Sequence, residues 1–466
     1  MSGVTRASAA DRVDTATPAS RDRYVDLLRV FSLGTVIVGH WLMAVVVVGR
    51  EGNVTTTNAL SLMPALQPLT WVLQVMPVFF LVGGYANARA WESLRRRGGT
   101  YADFVRTRAG RLLRPTAAFA GAWVLIALLL EWLGLDTGVV VQAARIVAQP
   151  LWFVGVYLGV AALSPLMLRQ HRRHGAAVLT VLIGLVALVD VLRFGYAVPY
   201  VGYLNVAFVW LAVHQVGFFW ADGTLVRRQR VLAPALAGVG LGGVIALTAY
   251  GPYPVSMVGL PGEPVSNMSP PTFALACQAA FVIGVALLLR GPLGRWLQRP
   301  RPWAVVVTAN GWAMTAFLWH LTALFAVVAV ALALGLPQPA VGDWQWWATR
   351  PVVLGLLALV TAGLVAIFRT ADKPRPARIG AQATSSVAVV RDALAAGGVG
   401  LSVVGILGLS MVGFGGALSG RMATLVVLPV SAVSSLALIA AGSVLLVLSR
   451  PTGAPNRPLP GPASHQ

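Results

Sequence analysis

Cysteine, lysine and acidic residues are all scarce in this chain. Its one cysteine, Cys277, excludes a disulfide within the chain and a cysteine-based metal cluster. Charged residues make up only 11% of the 466 positions, against roughly 25% in a soluble domain. That shortage excludes an ordinary soluble enzyme, and the 57% hydrophobic content excludes a disordered chain. Alternating polar and apolar positions are missing from the apolar runs, which argues against a β-barrel. No short apolar segment with a small-residue cleavage site opens the chain, so a signal peptide is not expected.

What is present is a series of long apolar runs separated by short arginine-rich loops, with a mean hydropathy of +0.76. This pattern predicts an all-α polytopic membrane protein. Twelve helices are expected, near 29–48, 66–88, 115–134, 150–168, 176–193, 200–220, 231–250, 272–290, 303–330, 350–368, 396–417 and 423–449. Proline-rich stretches fall between them, notably Gly251 to Pro271 and Gly335 to Pro339.

The net charge of +20 resembles a nucleic-acid signal, but its distribution does not. The basic residues sit in the gaps between apolar runs. With the N-terminus inside, 30 of the 35 fall on the inner side and five on the outer: Arg50, Arg145, Arg193, Arg350 and Arg421. The bias places both termini in the cytoplasm and the chain in the inner (plasma) membrane, with no nucleic-acid partner. Residues 1–22 read as a disordered cytoplasmic tail and 23–370 as a ten-helix core. Residues 371–395, with Lys373, Pro374, Arg375, Pro376 and Arg378, read as a cytoplasmic linker. A C-terminal helix pair at 396–450 reads as an appendage, followed by a disordered tail at 451–466.

Ionisable residues inside membrane helices are costly and point to function. They are His40, Asp190, Arg193, His214 and His320. The alternative for each is a hydrogen-bonded packing residue between helices. Arg29 and His40 are eleven residues apart, which is 20° past three full turns. They share one helix face, about 16.5 Å apart along the axis, so a cation and a deep imidazole can line one channel. Asp190 and Arg193, spaced i, i+3, predict a local salt bridge. His171 and His174 fall in an arginine-rich loop and are expected to be solvated. Trp344, Trp346 and Trp347 occupy an aromatic-belt position.

Tyr24-VDLLR, ten further residues and His40 resemble the opening helix of the acyltransferase-3 family. Met76 to Tyr85 (MPVFFLVGGY) resembles that family's second helix. Arg108-AG-Arg111-LL-Arg114-Pro115 resembles its Arg-x-x-Arg motif, and Pro150 to Leu166 its fourth helix. Asn267 to Leu275 and Phe317 to Leu324 are similar to a bacterial branch, of actinobacterial type. The likeness covers residues 23–370.

The resemblance implies an integral-membrane acyltransferase with a ten-helix core, to which this chain adds two C-terminal transmembrane helices. It implies an acyl-CoA donor, acetyl-CoA foremost, and a hydroxyl acceptor on a carbohydrate, glycolipid or natural product. His40 becomes the essential base, with Arg29 beside it; a neutral imidazole can take a hydroxyl proton near pH 7. Arg108, Arg111 and Arg114 become the site for the phosphates of CoA, whose geometry suits guanidinium forks. His320, late in its helix, is expected to bind or orient the acceptor. No metal is expected, because the histidines lie on different helices without a carboxylate set. Many polysaccharide-modifying members carry an acidic residue in the fourth-helix motif, where this chain has Val156 and Tyr157. The rival reading is a twelve-helix secondary transporter, although no matched pair of interrupted helices is visible.

Overall fold

The structure is a computed structural model that describes residues 8–18, 21–48, 54–134, 143–372, 385–415 and 420–451. The expected disorder of the first seven residues and of 452–466, the linker residues from Lys373 to Arg378, and Arg50 lie outside the described residues.

The chain is an all-α polytopic membrane protein. Among the described residues, eleven helical segments are long and apolar enough to cross a membrane. A twelfth apolar helix, Ala432–Leu448, has 17 residues. The helices are α1 (Ala9–Thr15), α2 (Arg23–Met43), α3 (Met76–Arg96), α4 (Tyr101–Trp132), α5 (Leu151–His174), α6 (Ala176–Asp190) and α7 (Asn205–Ala221). They continue as α8 (Gln229–Tyr250), α9 (Phe273–Trp296), α10 (Pro300–Ala333), α11 (Trp344–Phe368), α12 (Ser385–Val412) and α13 (Ala432–Leu448). Two antiparallel hairpins, Ala44–Val48 with Val54–Asn58 and Met422–Leu425 with Leu428–Ser431, follow α2 and precede α13.

Small residues let the helices approach closely, as membrane packing requires. Where α3 crosses α7, a Cβ on Gly84 would lie 2.0 Å from the His214 carbonyl oxygen. A Cβ on Gly217 would lie 2.2 Å from the Leu81 carbonyl oxygen. This crossing brings the two backbones together in the interior of the core.

Two boundaries differ from expectation, each for a physical reason. The arginines expected in a loop before the third helix lie inside α4, which begins at Tyr101 rather than near 115. Thr100 starts it with a capping box: its hydroxyl accepts from the Asp103 amide (3.3 Å) while the Asp103 carboxylate accepts from the Thr100 amide (3.0 Å). Within the expected N-terminal tail, Ala9–Thr15 is helical, capped by Ser8 and Asp11. It is tied down by the Asp14–Arg23 ion pair (2.7 Å) and by the Trp303 indole donating to the Thr17 hydroxyl (2.7 Å).

The C-terminal pair, expected as an appendage, is packed into the core. Phe414, fully buried, meets Phe119 edge-on at 5.7 Å and stacks on Trp123 at 6.2 Å. Buried Arg391 of α12 reaches Asp103 (3.2 Å) and the Ser449 carbonyl (3.0 Å), while Arg106 holds the same Asp103 oxygen at 2.9 Å. Asp103 is 2% exposed, and among the described residues these two guanidiniums and the cap compensate its charge. Asp103→Asn is expected to lower stability by about 1.5–3 kcal/mol, the range for hydrogen bonds to charged groups. Thermal unfolding in nanodiscs checks it. Arg391→Gln and Asp103→Asn should be less than additive, because the two residues share one interaction, while the Arg391 bond to the Ser449 carbonyl is lost separately.

Candidate functional site

His40 lies near the end of α2 and His320 in the second half of α10, 280 residues away in sequence. The two helices pack side by side, pinned at this level by the Trp41 indole donating to the His320 carbonyl (3.0 Å). His40 Nδ1 and His320 Nε2 are 2.8 Å apart. His320 Nδ1 is 2.6 Å from the Phe317 carbonyl oxygen, which can only accept. The hydrogen-bond pattern therefore assigns the tautomers. His320 carries its proton on Nδ1, its Nε2 accepts from His40 Nδ1–H, and His40 Nε2 keeps a free lone pair. Both rings are neutral in this arrangement, and no carboxylate takes part. His320 is fully buried. His40 is half-buried.

A second group gathers toward the arginine-rich ends of α2 and α4. Arg29, Arg108 and Arg111 lie within Coulombic range of one another. Among the described residues, none of the three has a carboxylate within ion-pair distance. Arg108 donates to the Ala86 carbonyl (3.0 Å) and lies 5.5 Å over the Phe104 ring. Like His40, it is half-buried. Arg111 and Arg114 are exposed. Arg106, by contrast, turns to Asp103. The helix face that α2 shares between Arg29 and His40 thus runs from this cationic group to the imidazole pair.

The remaining singled-out residues serve packing. His214, on α7, is buried, with Asn87 Nδ2 at 3.1 Å and Ser164 Oγ at 3.3 Å from its Nε2, and so ties three helices together. His171 is not solvated. It is 6% exposed and bridges Gln215 (2.9 Å) and Asp222 (3.0 Å). Asp222, just past α7, is held below the ordinary carboxylate range: burial alone raises it, and hydrogen bonds from Thr224 and His171 outweigh that. The expected Asp190–Arg193 bridge does not form. Asp190 accepts from Asn205 (2.9 Å), the Tyr253 hydroxyl (3.1 Å) and the Phe273 amide (2.7 Å), because three partners converge where the start of α9 meets the end of α6. Trp344 and Trp347 are exposed, whereas Trp346 is buried with Arg350 4.5 Å over its ring.

Sequence reasoning set His40 and His320 at similar depth but could not join them, since nothing local encodes a contact across 280 residues. It also placed Arg29 on one helix and Arg108 and Arg111 at the start of another without showing that they converge.

These features define a polytopic helical membrane protein with a buried imidazole pair at one level and uncompensated guanidiniums at another. A protein-family model described as an acyltransferase domain matches residues 22–369. The chain belongs to that family, acyltransferase-3, and is a membrane acyltransferase. That assignment replaces the transporter alternative. No curated protein and no solved structure matches it.

Proposed function

We propose that this acyltransferase takes an acyl group from acyl-CoA, acetyl-CoA foremost, and passes it to a hydroxyl of a carbohydrate, glycolipid or natural product. The observation that carries the reading is the neutral His40–His320 relay with a free Nε2, on the same face of α2 as a cation cluster lacking carboxylates. Arg29, Arg108 and Arg111, with Arg114 beyond them, suit the phosphates of CoA, since guanidiniums bind phosphate in bidentate fashion. The arginine-rich end then faces the cytoplasm, where CoA thioesters reside, in the plasma membrane with both termini inside.

The chemistry follows from the tautomers. The acceptor hydroxyl gives its proton to His40 Nε2 as its oxygen attacks the thioester carbon. The imidazolium that forms keeps its Nδ1–H on His320 Nε2, so positive charge is shared across the pair. His320 performs the orienting task that a carboxylate has in many catalytic triads, without adding a charge to the interior. When the tetrahedral species collapses, the carbon–sulfur bond breaks and the proton passes to the departing thiolate. Direct transfer needs no acyl-enzyme.

Full-length protein in nanodiscs, given radiolabelled acetyl-CoA, tests the donor. Arg108→Gln is expected to raise KM for acetyl-CoA about 10- to 100-fold, the worth of a charge-assisted hydrogen bond. The change in kcat should be smaller. Absence of any acetyl-CoA binding by the wild type would remove the donor assignment.

A further inference from the structure

Tyr157 stands where the family resemblance leads one to expect an acidic side chain, and its surroundings are built rather than incidental. Its ring is boxed by Phe79 (5.3 Å, edge-on), Phe80 (5.7 Å, edge-on) and Phe153 (5.9 Å). The fourth wall is Gly83, where a Cβ would lie 2.6 Å from Tyr157 Cε2, so only glycine leaves room for the ring. The ring is thus fixed in one orientation. Among the described residues the hydroxyl has no hydrogen-bond partner, and the residue is half-buried, with accessible surface.

Its place along the site is defined by neighbours. Phe153, one turn away on α5, packs 5.3 Å from Phe317, whose carbonyl holds His320. Tyr157 lies about 6 Å along α5 from Phe153, and His320 about 4.5 Å along α10 from Phe317. On the other side Tyr157 is within Coulombic range of Arg108 and Arg111. A donor reaching from the cations to the histidines has Tyr157 beside its path.

We propose that Tyr157 is a catalytic residue of the transfer, donating its O–H to the thioester carbonyl oxygen. The inference rests on the acyl-CoA reading above. As the acceptor oxygen bonds to the carbonyl carbon, the carbonyl π pair moves onto its oxygen, and that oxyanion accepts from Tyr157 O–H. Collapse restores the carbonyl and expels the CoA sulfur, which takes the proton held by His40. Tyr157 keeps its own proton throughout. A neutral phenol stabilises the developing charge without itself carrying one, whereas a carboxylate at this position would repel it.

The test is Tyr157→Phe in the full-length protein in nanodiscs, which leaves the boxed ring and removes only the hydroxyl. Acetyl-CoA turnover is measured with a hydroxyl acceptor or with water, together with binding of a CoA thioether that has no carbonyl. Loss of one oxyanion donor predicts a fall in kcat of about 10²–10³-fold. Affinity for the thioether should equal that of the wild type, and so should the melting temperature. Wild-type kcat in Tyr157→Phe overturns the proposal, as does a loss confined to binding or to folding. A wild-type protein that neither binds nor consumes acetyl-CoA overturns the donor reading, and the Tyr157 role with it.

Discussion

With His40 replaced by alanine, acyl transfer is expected to fall by about 10²–10⁴-fold, the range for removing a positioned general base. The protein should remain folded, since His40 is half-buried and, among the described residues, its side chain hydrogen-bonds to His320 alone. Donor binding should persist, because Arg108 lies at a different level of the bundle. His320→Gln is the informative companion. A glutamine can still accept from His40 Nδ1–H, so the His40 tautomer survives and the loss should be far smaller. His320→Leu removes the acceptor and leaves a buried N–H without a partner, which costs about 1–3 kcal/mol in its own right. Single-turnover rates and size-exclusion profiles on the four proteins separate base, orientation and folding. A folded His40→Ala protein that transfers acyl groups at the wild-type rate would falsify the base assignment.

The largest structural effect is expected at Gly84. Replacing it with valine places a branched side chain where the first carbon alone would sit 2.0 Å from the His214 carbonyl oxygen. That atom belongs to backbone and cannot swing aside, so α3 and α7 must separate. Separation undoes the facing contact at Gly217 and strains the Asn87–His214 bond, which spans the same crossing. Ordinary overpacking costs about 1–3 kcal/mol because side chains relax; here no side chain can absorb the change. Gly84→Val is therefore expected to yield no monodisperse protein from detergent. Gly121→Ala, on α4 with open space around it, should behave as the wild type in the same purification.

Much of this architecture was legible in the sequence, because bilayer thickness forces each crossing to announce itself as a long apolar run. Helix number and the concentration of arginine at alternate ends follow from that constraint alone. Helix starts were less visible. Yet Thr100 with Asp103, and Ser8 with Asp11, are capping-box spacings that physical reading could have used. They mark the true beginnings of α4 and α1. The imidazole pair was not legible, since periodicity places His40 and His320 on faces but says nothing of which helices adjoin. Asp190 failed as a local ion pair for the same reason. Its partners Asn205, Tyr253 and Phe273 come from distant parts of the chain, and three such donors suit a buried carboxylate better than one neighbouring guanidinium. His171 was misplaced because composition marked its surroundings as a loop, while α5 continues through it to His174.

The packing of Phe414 against Trp123 bears on the order in which the protein is made. The family match ends at residue 369, but the wall of α4 does not. Trp123 stacks on Phe414 on one side and donates to the Thr322 hydroxyl (3.0 Å) on the other, two residues beyond His320. During synthesis α4 leaves the ribosome within the first third of the chain. Its covering residue follows almost three hundred positions later. Until then that face lacks Phe414, and Asp103 has Arg106 but not yet Arg391 for company. The helix bearing the arginines, and the indole that braces the histidine helix, thus reach their final setting only when the last hairpin of helices has been threaded into the bilayer. Maturation of the site is a closing event of biosynthesis rather than an early one.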